Sequence, residues 1–262
     1  MLSSEQKRHF EVFGFLVLRR LFDDEEMQWM AQEAHDVFLE EREGRPFEGP
    51  ERQTVTHLFT RRPFLDGVVD DDRIHGIASG LLGPDYILDS TEGHLFAEDI
   101  QWHGGDDRFC ILRNIKIALY LEPLTAESGC LRIMPGSHIS PYGDSLKPLK
   151  KQYFDQSYLP FGLTGPELHG HMVETNPGDV VVFPEEIFHA AFNGSVGRAQ
   201  LTINFAANPV TDEQVAFVRG LYDRPTNRAF LPPPEYIESD RPRLRSMVSR
   251  LCKLGFQPYD GR

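Results

Sequence analysis

Two histidines stand where short β-type runs meet turns. His103 follows Trp102 at the end of one run and precedes Gly104-Gly105-Asp106, while His189 lies between Phe188 and Ala190, beyond the turn Pro177-Gly178-Asp179. Neutral imidazole is a common ligand of transition metals, so two strand-end histidines that converge would begin a metal centre. The chain has ten histidines, and a single one more often serves structure than chemistry, so spacing alone leaves both readings open. Cys110, Cys130 and Cys252 are an odd count with no CxxC pair. That argues against a disulfide framework and a structural zinc site, and for a reducing compartment.

Positioning the two histidines falls to a β-rich middle. From about residue 86, β-type runs alternate with turn residues at 86–88, 94–102, 113–121, 130–134, 171–174, 180–183 and 200–205, which implies a sandwich or barrel. Within one run Asn114 and Lys116 share a face with Ala118 and Tyr120, so those first two are candidates to line a cavity. The first third reads as mainly helical. Ser3 and Gln6 have capping-box spacing before a helix that stops at Gly14, and 15–18 reads as a brief strand. Asp23 and Asp24 cap a longer helix whose stripe of Met27, Met30, Ala34, Val37 and Phe38 is core packing. Ile74, Ile77, Leu81 and Leu82 give another helix, closed by Gly83-Pro84, and Leu244, Met247, Val248 and Leu251 give one in the tail. The expectation is a single domain over 1–262, with a helical part to about 85, a β core over about 86–209 and a helical tail over 210–262. Residues 135–169 read as a long irregular loop, of the kind that forms lids or binding walls.

Forty acidic against twenty-seven basic side chains give a formal charge of −13, which repels a nucleic-acid backbone. The dense basic run Lys147, Lys150 and Lys151 is either a solvated loop face or an anion-attracting rim near a substrate entrance. The polar start MLSSEQKRHF is unlike a signal peptide, and no stretch approaches the length of a membrane span, so a cytoplasmic protein without a membrane partner is expected. Oligomeric state is not readable from these features.

The stretches WHGG, NIKIALYLEPLTAESGCLRIMPGSH and NPGDVVVFPEEIFHAAFNGSVGRAQLTINF resemble the phytanoyl-CoA dioxygenase family of iron(II)/2-oxoglutarate oxygenases, over about residues 95–206. The resemblance implies a mainly β fold with flanking helices, a double-stranded β-helix of the jelly-roll or cupin-like kind, with iron in one open mouth. It implies His103 and His189 as iron ligands and Arg198 as the residue that grips the far carboxylate of 2-oxoglutarate, a role suited to a bidentate guanidinium. His138 matches a family turn residue rather than a ligand.

One position departs from the family pattern. Most members complete the iron triad with a carboxylate two residues after the first histidine, and here that residue is Gly105. At this point the chain resembles the radical halogenases of the same superfamily, in which a small residue replaces the carboxylate and a halide binds iron. Residues i and i+2 share a face of a strand, so Gly105 is expected to leave a place for chloride, with one anion replacing another. The implied cofactors are Fe(II), 2-oxoglutarate, O2 and chloride, and the implied reaction is chlorination of an unactivated carbon of a small molecule, for which the lysine run suggests an anionic metabolite or nucleotide. A rival reading has Gly104-Gly105 form a bulge that lets Asp106 or Asp107 supply the carboxylate, which makes a hydroxylase. A third is a non-catalytic binding module of the same fold.

Overall fold

The computed structural model describes residues 1–105, 111–222 and 231–259. The helical opening starts with α1 (Ser4–Phe13), whose Ser3 cap and Gln6 form the expected capping box and whose end is marked by Gly14 at φ 78°. Strand β1 (Leu16–Leu18) follows, then α2 (Asp24–Glu41), capped by Asp23 with Glu26 reaching back. A short strand β2 (Gln53–Thr56) and helices α3 (Pro63–Val69) and α4 (Asp72–Leu82) complete this part.

The β core contains β3 (Ile87–Phe96), β4 (Ile100–His103), β5 (Asn114–Tyr120) and β6 (Leu131–Ile133), then β7 (His171–Val173), β8 (Val180–Phe183), β9 (His189–Ala191) and β10 (Arg198–Ala206). Between β6 and β7 lie α5 (Tyr142–Ser145), α6 (Leu149–Phe154) and a 3-10 turn over Gly165–Glu167. The tail carries α7 (Asp212–Tyr222), α8 (Pro234–Ile237) and α9 (Pro242–Lys253). No helix among the described residues is long and apolar enough to cross a membrane.

The strands form two antiparallel sheets, a six-stranded one in the order β1-β8-β5-β10-β3-β2 and a four-stranded one in the order β4-β9-β6-β7. Strand alternation divides the large sheet into two faces. Ile115, Ile117, Leu119, Leu201, Ile203 and Phe205 turn outward and pack on the apolar stripes of α2 and α9. Ala118, Tyr120, Val181 and Phe183 turn inward against Leu131, Ile133 and Val173 of the small sheet. This arrangement of opposed sheets with helices outside is the expected jelly-roll core.

Three expectations need correction. Residues 86–88 and 94–102 are not two strands with a turn between them. The strand β3 runs unbroken from Ile87 to Phe96, through the polar stretch Asp89-Ser90-Thr91-Glu92, and the chain then crosses at 97–99 to the other sheet. Of this stretch Glu92 looks into the cavity between the sheets. Gly93 is required there, since a Cβ would lie 2.2 Å from Leu58 and 2.9 Å from Phe38. Second, the 135–169 segment is not wholly irregular, for it holds α5 and α6. Third, the part expected to be helical to about residue 85 also holds an edge strand, β2.

Candidate active site

Strands β4 and β9 are antiparallel neighbours, and their register sets His103 directly opposite His189. The two rings stand with centroids 4.0 Å apart. Each Nδ1 lies 2.8 Å from the carbonyl oxygen two residues earlier, of Gln101 for His103 and of Ile187 for His189. A carbonyl only accepts, so Nδ1 carries the hydrogen and Nε2 is left with its lone pair, the tautomer a metal ligand needs. Burial pushes the His103 ring down to about 4, the Gln101 hydrogen bond opposing and the charge of Lys116 assisting. Burial and the neighbouring His103 hold His189 well below the usual histidine range. Both rings are therefore neutral at pH 7.

The rest of β4 explains why His103 is held there. Trp102, on the opposite face, is almost fully buried with Phe188 and Phe192, and its indole N–H donates to the Gly165 carbonyl at 2.7 Å. That bond ties the 135–169 segment over the strand, and from α6 the Tyr153 ring stands 5.4 Å from His103. The segment thus brings an aromatic ring beside His103.

Across the cavity, Arg198 opens β10 opposite Phe96 of β3. Its guanidinium is 4.9 Å from the Phe96 ring, and the residue is 2% exposed. Its Nε and Nη1 have no hydrogen-bond partner, although burial lowers the pKa only from an arginine's high value and the group stays charged. Two glycines make room for it. A Cβ at Gly129 would lie 2.1 Å from Nη1 and one at Gly194 1.3 Å. A buried cation is costly unless an anion completes it, and a carboxylate is an anion that a guanidinium binds well.

His103, His189 and Arg198 line one cavity of about 220 Å³, together with Lys116, Tyr120, Phe183 and Gln200 of the large sheet. Strand β3 adds Glu92, His94 and Phe96, and the β2 side adds Arg52 and Thr54. Tyr120 and Gln200 are joined by a 3.0 Å hydrogen bond, and Lys116 Nζ lies 3.1 Å from Glu185. Of the predicted lining residues, Asn114 does not reach the cavity. Its side-chain NH2 donates to Glu186 and its carbonyl accepts from the Glu185 N–H, so it braces the turn that leads to His189. His138 contacts the Glu11 carbonyl at 3.2 Å, away from the cavity.

Gly105 is where the structure departs most from expectation. Strand β4 ends at His103, Gly104 and Gly105 have φ of 129° and 60°, and the Gly105 N–H donates to the Glu186 carbonyl at 2.6 Å. The same-face rule for i and i+2 does not extend past the strand. A Cβ on Gly105 would point at the Phe188 ring, 2.5 Å away, and neither glycine lines the cavity. Gly105 is therefore not a vacated side-chain place beside His103. Asp106 and Asp107, the rival carboxylates, lie outside the described residues, as does Cys110. Among the described residues no three of His, Cys, Asp and Glu are grouped to hold a metal. The lysine run is a second correction, because Lys147 pairs with Asp144, Lys151 lies 4.0 Å from the Tyr158 ring, and none of the three lines the cavity. Its support for an anionic substrate falls away.

The family model for phytanoyl-CoA dioxygenase matches residues 10–196, which includes both histidines and most of both sheets. The chain belongs to the phytanoyl-CoA dioxygenase family. Among curated relatives, an ectoine dioxygenase from Bordetella parapertussis is 26% identical over 171 residues, 58% of this chain and 55% of the relative, so the chain spans about half of that protein's length. An ectoine dioxygenase from Sphingopyxis alaskensis is 23% identical over 224 residues, 74% of this chain and 72% of the relative. In three dimensions the chain is similar to HygX of Streptomyces hygroscopicus, solved with nickel and 2-oxoglutarate, at a TM-score of 0.60 and 18% identity over 79% of this chain and 87% of that one. It is similar to the same degree to apo EctD of S. alaskensis, at 0.60 and 17% over 79% and 77%. At such identities the structural likeness establishes the shared fold.

Proposed function

We propose that this protein is an iron(II)/2-oxoglutarate-dependent oxygenase acting on a small molecule, in which His103 and His189 hold the metal and Arg198 holds the distal carboxylate of 2-oxoglutarate. The observation that carries the reading is the pairing of two lone-pair nitrogens with an unpartnered buried guanidinium in one cavity. When bound, iron(II) with 2-oxoglutarate and O2 supplies the oxidising power to attack an unactivated C–H bond, the co-substrate leaving as succinate and carbon dioxide. The chain's own share is orientation and exclusion. The Gln101 and Ile187 carbonyls fix the ring tautomers, Asn114 braces the turn before His189, and the Trp102–Gly165 bond keeps the Tyr153 ring beside His103.

Hydroxylation is the outcome we place first. The halogenase reading rests on Gly105 standing at the family's carboxylate position, its supporting strand geometry stops at His103, and the curated relatives carry the name ectoine dioxygenase. Halogenation, with chloride on the metal, is the second reading, favoured because the described residues around the two histidines contain no carboxylate ligand. A titration of chloride, then bromide, into the anaerobic iron(II)–2-oxoglutarate complex separates them. Hydroxylation predicts a visible charge-transfer band that halide leaves unmoved, and a saturable shift would reverse the order. Absence of the band, with folded protein, would overturn both.

A further inference from the structure

The cavity contains a carboxylate that the metal and 2-oxoglutarate do not require. Glu92 of β3 faces inward with its side chain 20% exposed, and it belongs to no metal-holding group among the described residues. Among the described residues its recorded polar neighbour is His94, whose Nε2 lies 3.4 Å from Oε2, and that histidine is oriented in turn by Thr54, whose Oγ1 lies 3.1 Å from Nδ1. A Thr54 hydroxyl that donates to Nδ1 leaves Nε2–H to donate to Glu92, so the carboxylate is held in place by a neutral relay rather than neutralised by a cation. Burial works to raise the Glu92 pKa, but the His94 hydrogen bond and the charges of Lys116 and Arg52 outweigh it and the group stays ionised.

The charges of Lys116 and Arg52 are felt at Glu92, but among the described residues neither cation is in ion-pair contact with it. Lys116 has Glu185 at 3.1 Å, Arg198 is shaped for the co-substrate, and Arg52 stands exposed at the mouth, 5.8 Å from the Phe96 ring. A carboxylate can accept about four hydrogen bonds, and among the described residues a mostly buried one with this long contact has strong unused acceptor capacity toward the cavity.

We propose that Glu92, held by His94 and Thr54, is the anchor for a protonated amine or other cationic nitrogen of the substrate. This rests on the reading of the cavity as an oxygenase site, and it deepens that reading by naming the substrate class. Ion pairing at Glu92 fixes the nitrogen on the β3 side of the cavity and presents the rest of the molecule to the two histidines.

The test is calorimetric titration with a series of linear alkylamines of increasing length and with the isosteric alcohols and carboxylates. It is done on the anaerobic protein loaded with iron(II) and 2-oxoglutarate and repeated without them, since Glu92 does not touch the metal. The expected result is that an amine of suitable length binds about tenfold or more tighter than its alcohol. Glu92→Gln abolishes that preference, Glu92→Asp retains part of it, and the iron band persists in both variants. Amines that bind no better than alcohols, carboxylates that bind best, or a Glu92→Gln loss equal for amines and alcohols would each overturn the proposal. A wild-type protein without the iron band but with the amine preference would sink the oxygenase reading and leave the anchor standing.

Discussion

On the small sheet the two imidazoles are tied back by their own backbone, each Nδ1 to a carbonyl two residues earlier, so only Nε2 is available. On the large sheet the Arg198 guanidinium is held by shape, between Phe96 and two glycines, with Nε and Nη1 unpaired. One side of the cavity is preorganised by hydrogen bonds and the other by space that lacks side chains. The strands differ to match. The histidines sit on strands of four and three residues, where each ring needs a local tether, whereas Arg198 opens a nine-residue strand paired on both sides. The metal-facing side should therefore fail by loss of a ligand, and the co-substrate side by loss of complementarity.

The largest effects separate these two modes. His103→Ala or His189→Ala should abolish the visible band of the anaerobic iron(II)–2-oxoglutarate complex. Arg198→Ala should keep metal binding but raise the 2-oxoglutarate concentration for half-saturation by about 30- to 5000-fold, the range for truncating one member of a buried charge pair. A band that survives loss of either histidine, or an Arg198→Ala variant with unchanged saturation, would break the comparison. Gly129→Ala comes next. Its Cβ would meet Nη1 at 2.1 Å on a backbone with φ of 87°, so 2-oxoglutarate should bind more weakly and the fold should lose about 1–3 kcal/mol in denaturant titrations.

The two modes were unequally legible in the sequence. The histidines stood out because turn residues punctuate their strand ends, and Arg198 because a family likeness runs through it. Glu92 did not stand out. Asp89-Ser90-Thr91-Glu92 reads as a turn when polarity is taken to mean solvent, yet it lies within β3, and Glu92 at its end looks into the cavity. The Gly105 expectation came from the family pattern, and its supporting argument extended strand alternation past His103 into two residues of positive φ. Lys147, Lys150 and Lys151 could be seen as a charged run but not placed, since nothing in a loop's composition says which way it faces. The helices were read closely because their caps are local, as at Ser3 and Asp23.

Gly105→Ala sharpens the histidine side of the comparison. Because the new Cβ would meet the Phe188 ring at 2.5 Å and φ is 60°, the variant should be less stable by about 1–3 kcal/mol and bind metal more weakly. A variant as stable as the parent would mean that position 105 opens on free space, and the halide reading would regain its ground.

The smallest expected effect concerns a buried polar group outside the cavity. His57, like Arg198, is almost fully buried with unpartnered nitrogens, but where Arg198 keeps its charge, burial pushes His57 down to about 4 from an ordinary value of 6.5. The folded state holds this ring neutral while the unfolded chain binds a proton below about 6.5. Stability therefore falls as pH drops through the window from about 6.5 to about 4 and levels off below it. The slope from one such group is at most about 1.4 kcal/mol per pH unit. His57→Asn, which suits the left-handed backbone at φ 53°, should flatten the pH dependence of the denaturation midpoint in that window and leave the iron band unaltered. An unchanged slope would mean that His57 is protonated inside the fold and that a partner reaches it. The contrast between a buried cation kept for a ligand and a buried base kept neutral would then fail.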